Sequence, residues 1–248
     1  MGLFDLAAPL FEWLDARLAS LLGDYARLLL WAALGAVLSM LIYALTARSA
    51  AIAEVKRKIA ALRNRLLADA ADLDKPFDLG EVVRLLGLSL THVRLTLKPA
   101  LLASLPLLFL LAWVSNSFGY LEPRPGTRIE AVVVDASPPG NAASRRAALV
   151  WPAGEAATAI IDGSGAILAR IEPGAPAPVL HKRVWWNTLF GNPLGYLPQE
   201  SDIERVELSL QPRHFLDGYP NWLSGWEASF FAVLVLLSVA IKFAFRIH

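Results

Sequence analysis

Three stretches of this chain are strongly apolar over about the length a bilayer demands, and nothing else in the sequence restricts the fold as strongly. A hydrocarbon core of about 30 Å takes roughly 20 apolar residues of helix at about 1.5 Å rise each. Residues 28–47 (LLLWAALGAVLSMLIYALTA) and residues 99–121 contain no charged side chain, the second with Pro106 inside it. The third stretch runs from Trp222 to Phe245. Its core, residues 228–241, is short, so Trp222 and Trp226 on one side and Lys242 and Arg246 on the other are expected to anchor it at the interfaces. The other reading of such blocks is a buried core helix. Composition opposes it: 56% of the 248 residues are hydrophobic and only 18% charged, against about 25% charged in a soluble domain.

Basic residues set the expected orientation. Residues 1–27 hold two bases against four acids, whereas residues 48–98 hold ten against six. The C-terminal KFAFRIH is basic as well. Residues 48–98 and the C-terminus are therefore expected in the cytoplasm, with the N-terminus and residues 122–221 outside. The expected home is the plasma (inner) membrane. The first residues carry Asp5, Glu12 and Asp15 where a signal peptide would be basic, so no signal peptide is expected. Leu6 stands where a myristoylation site needs Ser or Thr.

The chain then divides into an interfacial helix (1–24), a first span (25–47), a cytoplasmic arm (48–98), a second span (99–121), an outer domain (122–221) and a third span with a short tail (222–248). In the first segment Leu3, Leu6, Leu10, Leu14, Leu18 and Leu21 recur at steps of three and four, the mark of an amphipathic helix. Its polar face is acidic, and both lipid and a partner protein remain open as its contact. In residues 48–70, Ile52, Val55, Ile59, Leu62 and Leu66 form a narrow seam suited to a helical hairpin or coiled-coil arm. Arg48, Lys56, Arg57, Lys58, Arg63 and Arg65 make its outer face basic. That face is either plainly solvated or a platform for an acidic partner, a ribosome or a nascent chain. Asp74, Lys75 and Pro76 mark a turn, and Asp78 with Glu81 resembles a capping box opening a second, apolar helix. Pro99 is expected near the first turn of a separate second span.

The outer segment has another texture. Residues 128–135, 146–151, 156–162, 166–172, 178–185 and 203–210 are short, rich in Val and Ile and partly alternating. SPPGN, PAGE, DGSG and EPGAPA between them are turn compositions, and IIDGSGAIL reads as a hairpin. The expectation is a small all-β, sandwich-like domain of about six strands. Residues 185–199 form an aromatic, Gly/Pro-rich loop. It is read as an interface contact, as an ordinary core loop, or as a partner-docking loop through Trp185, Trp186, Phe190 and Tyr196.

Chemistry is hard to find. The chain has no cysteine, which removes disulfides, thiol nucleophiles and thiolate metal sites. His92, His181, His214 and His248 show no metal-ligand spacing, and there is neither a GxSxG elbow nor a phosphate-binding glycine loop. No enzyme, cofactor or metal is expected, and the near-neutral net charge of +1 gives no reason to expect DNA. Polar groups at the spans draw more attention, because intramembrane polarity is costly. Ser39, Ser104, Ser115 and Asn116 are candidates for lining a groove, and Arg27 with Glu227 for an ion pair at the outer interface.

The order of these parts carries a resemblance. An N-out span, a basic cytoplasmic arm, an amphipathic helix and a span with Lys98-Pro99 at its entry, Pro106 within and Trp113 and Phe118 at its exit are similar to the three-helix members of the YidC/Get insertase superfamily. These include archaeal YidC-like proteins and the related subunit of the ER membrane complex. The likeness covers residues 25–121 and 222–246. It implies a membrane protein insertase or assembly factor, with a hydrophilic groove open to the cytoplasm that receives a substrate helix recruited by the basic arm. The competing expectation is a non-catalytic scaffold. In that case three helices anchor an outer β-domain that binds another envelope protein.

Overall fold

The computed structural model describes residues 2–70, 78–135, 144–152, 157–163, 165–172 and 174–245, with the side chains of residues 70, 186 and 188 excepted. The expected turn at Asp74, Lys75 and Pro76, the Arg246 anchor and the Trp186 side chain lie outside the described residues. A 3-10 turn, Leu3–Ala7, leads into α1 (Ala8–Ala19), α2 (Asp24–Thr46), α3 (Ser49–Ala70) and α4 (Leu79–Phe118). Six strands follow: β1 (Arg128–Asp135), β2 (Ser144–Val150), β3 (Thr158–Asp162), β4 (Ile167–Ile171), β5 (Val179–His181) and β6 (Ile203–Leu208). A single helical turn, α5 (Asn221–Ser224), precedes α6 (Trp226–Ala244). Among the described residues three helices, α2, α4 and α6, are long and apolar enough to cross a membrane, with mean hydropathies of 2.3, 1.9 and 2.0. The protein is a multi-pass helical membrane protein with an added β-domain.

Two compact units divide the chain. The first holds residues 1–31 and 108–232, and with them the β-domain. Its strands form one antiparallel sheet in the order β4-β3-β2-β1-β6-β5. Alternation explains the buried face: Ile129, Ala131 and Val133 of β1 point inward while Glu130 and Val132 point out. Register shifts at Val134/Asp135 and at Ile160/Ile161 add a residue to one strand and curve the sheet into a half-barrel. In place of a second sheet, loop residues Trp151, Ala177, Leu194, Leu197 and Leu210 close the hollow side. The IIDGSGAIL hairpin forms as expected. Asp162 accepts the Ala166 N–H at 3.0 Å, and Gly165 takes the positive φ of +89° that a side chain would resist. The run expected as a strand at 178–185 is shorter, ending at His181.

The second unit holds residues 32–107 and 233–248. The α3 seam is oriented as the spacing predicts: Ile52 and Leu62 are buried, Val55, Ile59 and Leu66 half-buried, and all six bases of the outer face exposed. Lys56, Ile59, Ala60 and Arg63 share a cavity of about 390 Å³ with Ser89, His92 and Val93, and Arg65 lies 3.6 Å from Glu81. The arm thus runs beside the first half of α4. Asp78 caps α4 by accepting the Gly80 N–H at 2.8 Å.

One boundary differs from expectation. The amphipathic helix and the second span are a single helix of 40 residues with Pro99 and Pro106 inside it, not two elements joined by a turn. At about 1.5 Å per residue it is about 60 Å long, twice a bilayer core. Proline's fixed φ suits a helix, and its costs are a lost N–H and a local kink. A run of Leu and Ala on both sides keeps the helix continuous, while Thr96 and Ser104 hydroxyls bond back to His92 and Leu101 carbonyls at 3.0 and 2.9 Å.

Candidate functional site

The densest polar chemistry in the first unit gathers where α1, the start of α2, the end of α4 and the segment after β6 meet. Residues 20–23 turn the chain, so α1 folds back toward the first turns of α2. That geometry brings Asp15 onto Arg27, whose guanidinium also donates to Asp24 at 2.5 Å. The other oxygen of Asp24 accepts from Arg213 at 2.5 Å. Trp31 Nε1 donates to the remaining oxygen of Asp15 at 2.9 Å. Two acids and two bases therefore alternate in a neutral chain. Arg27 and Asp15 keep only 12% and 13% of their side-chain surface exposed, which makes their pairing obligatory rather than decorative.

Aromatic rings enclose the chain of charges. Trp31 meets Trp113 edge-on at 5.0 Å, Phe11 lies 5.5 Å from both, and the Arg27 guanidinium sits 5.6 Å over Phe118. Tyr25 stacks on Phe215 at 5.7 Å and reaches the Ser229 hydroxyl of α6 at 3.4 Å. Backbone pairing fixes Arg213 in place: Leu121 N–H donates to Gln211 and Arg213 N–H to Gly119, so the segment after β6 runs antiparallel to the exit of α4.

Here the expected Arg27–Glu227 pair is replaced. The two terminal nitrogens of Arg27 are taken by Asp15 and Asp24, which α1 and its own helix deliver at shorter chain distance. Glu227 instead lines a cavity of about 340 Å³ with Ser115, Asn116, Arg213, His214 and Trp226. The Ser224 hydroxyl shares a hydrogen bond with His214 Nδ1 at 2.7 Å and lies 3.2 Å from the Asn221 carbonyl.

The four candidate groove residues are divided between the two units. Ser115 and Asn116 line the cavity just described. Ser39 and Ser104 belong to the other unit, where Ser104 bonds back to its own helix.

The aromatic loop is engaged by the chain's own N-terminus. Phe4 packs on Phe190 at 5.0 Å and on Phe109 at 5.2 Å. The Phe4 N–H donates to Leu189, and Gly191 N–H donates to Asp5 at 2.8 Å. A Cβ on Gly2 would stand 2.4 Å from the Gly191 nitrogen, so only glycine allows this approach. Tyr196 turns inward as well: its hydroxyl accepts the Asn192 N–H at 3.0 Å and donates to the Asn187 carbonyl at 3.1 Å. Phe190 and Tyr196 therefore hold the loop together, and Trp185 is the member left 80% exposed.

Sequence reasoning missed Asp15, Asp24 and Arg213. A signal for the first two was present. Asp24 precedes Arg27 by three residues on one helix, and a four-residue turn returns α1 along α2. The segments carrying Arg213 and Asp24 lie 189 positions apart, and no local pattern joins them. No protein-family model, curated protein or solved structure matches the chain.

Proposed function

We propose that this protein is a non-catalytic membrane-anchored scaffold, an accessory subunit whose outer β-domain binds another protein of an envelope complex. The charge distribution supports a plasma (inner) membrane location, N-terminus and β-domain outside and the basic arm in the cytoplasm. The observation that carries the reading is the fastening of the β-domain's root. Asp15, Arg27, Asp24 and Arg213 link both helices of the N-terminal pair to the segment leaving β6, inside a cage of Trp31, Trp113 and Phe118. Charges and stacked rings tie the β-domain to the helix ends within its own unit, a preorganisation that suits a docking platform. Leu3 and Leu6 of the 3-10 turn, Leu10 and Leu14 of α1 and Leu21 just beyond it stay exposed, while Asp5 and Asp15 turn to the protein. The acidic face serves the fold and the leucine face is left for the interfacial lipid.

The insertase reading keeps one observation in its favour: Arg48, Lys56, Arg57, Lys58, Arg63 and Arg65 are all exposed on α3, suited to a ribosome or a nascent chain. Depletion in the native host with quantitative membrane proteomics separates the two. A scaffold predicts loss of a few stoichiometric partners with general insertion intact. Broad loss of small membrane proteins, reproduced by charge reversal on the α3 face, would overturn the scaffold reading.

A further inference from the structure

We infer that the unit carrying the β-domain binds one phospholipid with an amine-bearing, zwitterionic headgroup. Two cavities carry the inference. The polar one, of about 340 Å³, holds Arg213, His214 and Glu227. A second, of about 420 Å³, is walled by Leu111 and Ala112 of α4, by Phe231 of α6 and by Phe190 and Gly191, with Asp5 at its edge bonded to the Gly2 and Gly191 N–H groups. Ser115, Asn116 and Trp226 line both, so the two adjoin. Each lies in the size range of ligand sites. A polar chamber beside a mainly apolar slot between two membrane-crossing helices suits an amphiphile, head in one and acyl chain in the other.

The charges select the head. Arg213, held by Asp24 at 2.5 Å, offers its remaining donors to a phosphate. Glu227, on the facing helix, has no ion pair among the described residues and suits an ammonium group. Asp15, Arg27, Asp24, Arg213 and Glu227 together hold one more negative than positive charge. A purely anionic headgroup would meet that surplus, whereas a phosphate and an ammonium separated by a two-carbon spacer match Arg213 and Glu227 in turn. A quaternary amine lacks the N–H donors that a carboxylate takes best.

Native mass spectrometry of the delipidated full-length protein in detergent tests this, using dioleoyl phosphatidylethanolamine, phosphatidylcholine, phosphatidylglycerol and, separately, water-soluble glycerophosphoethanolamine. The expected result is one phosphatidylethanolamine adduct, favoured about fivefold over phosphatidylglycerol, as one charge-assisted hydrogen bond at a half-open site implies. Glu227→Gln should erase the preference without displacing any bond of the fold. Ser115→Trp, at the junction of the cavities, should reduce all lipid adducts about fivefold. Equal retention of the three lipids would overturn the proposal, as would wild-type retention in both variants. Binding of glycerophosphoethanolamine as strong as that of the lipid would overturn it too, since the apolar slot would then contribute nothing.

Discussion

Replacing Asp15 by asparagine removes the charge that faces Arg27 while leaving an acceptor for Trp31 Nε1, which donates to it at 2.9 Å. Breaking a buried ion pair by deleting one partner costs about 3–5 kcal/mol, because the other charge stays desolvated. Two features lower that figure here. Arg27 retains Asp24 at 2.5 Å, and both members keep slightly more than a tenth of their surface in contact with solvent. The expected loss is about 2–3 kcal/mol for Asp15→Asn. Asp15→Ala should cost about 1 kcal/mol more, as the indole N–H loses its acceptor. A double-mutant cycle with Arg27→Gln isolates the pair, with an expected coupling of about 2 kcal/mol. The assay is equilibrium unfolding of the purified protein in mild detergent, titrated with a denaturing detergent and followed by tryptophan fluorescence. A matching cycle between Arg27 and Glu227 should give coupling below about 0.5 kcal/mol. Coupling that small for Asp15–Arg27, or as large for Arg27–Glu227, would refute the reasoning.

Three further outcomes are expected. Gly2→Val should release the N-terminal turn from the 189–191 backbone, seen as new proteolytic cleavage before α1 with the β-domain still resistant, because the added atoms have no room beside Gly191. Tyr196→Phe should cost about 1 kcal/mol in thermal unfolding of the β-domain, since the Asn192 N–H and the Asn187 carbonyl both lose their partner. On α3, hydrogen bonding and charge from Lys58, with a smaller contribution from Arg57, hold the Glu54 carboxyl below its ordinary value of 4.5. The support from a carboxylate depressed in this way is complete above its unfolded value and fades as pH falls through the folded one. The difference in arm helicity between the native chain and Glu54→Gln should therefore be constant near neutral pH and shrink only in acid, as read by circular dichroism; a difference that grows on acidification would contradict it.

The parts that periodicity governs were legible. Three apolar lengths specified α2, α4 and α6, and the step of three and four placed Ile52 and Leu62 of α3 inward and its bases outward. The Asp162 and Gly165 hairpin was equally plain, because turn chemistry is local. Continuity of α4 was not, since proline is a strong but not absolute helix breaker and the outcome depends on the neighbouring helix formers. Curvature of the sheet rests on two register shifts that no strand pattern announces. At the candidate site, Arg27 was recognised as a charge needing a partner, but the partner was misassigned to Glu227. Which acid wins depends on how α1 folds back on α2, and on Arg213 arriving from the far end of the β-domain to share Asp24. The aromatic loop was likewise visible as unusual, yet Phe4 and Asp5, some 185 residues away, are what occupy it.

The cysteine-free sequence offers a direct test of whether the spans are a closed anchor or a wet groove. Single cysteines at Ser39, Ser104 and Ser115 are to be labelled in intact cells and in inverted vesicles with a membrane-impermeant maleimide. The scaffold account predicts labelling of the Ser115 position from the outer side, where it borders the polar cavity, and none at Ser39 or Ser104 from either side. Rapid labelling of Ser39 and Ser104 from the cytoplasmic side would reveal a hydrated groove through the spans and contradict the account.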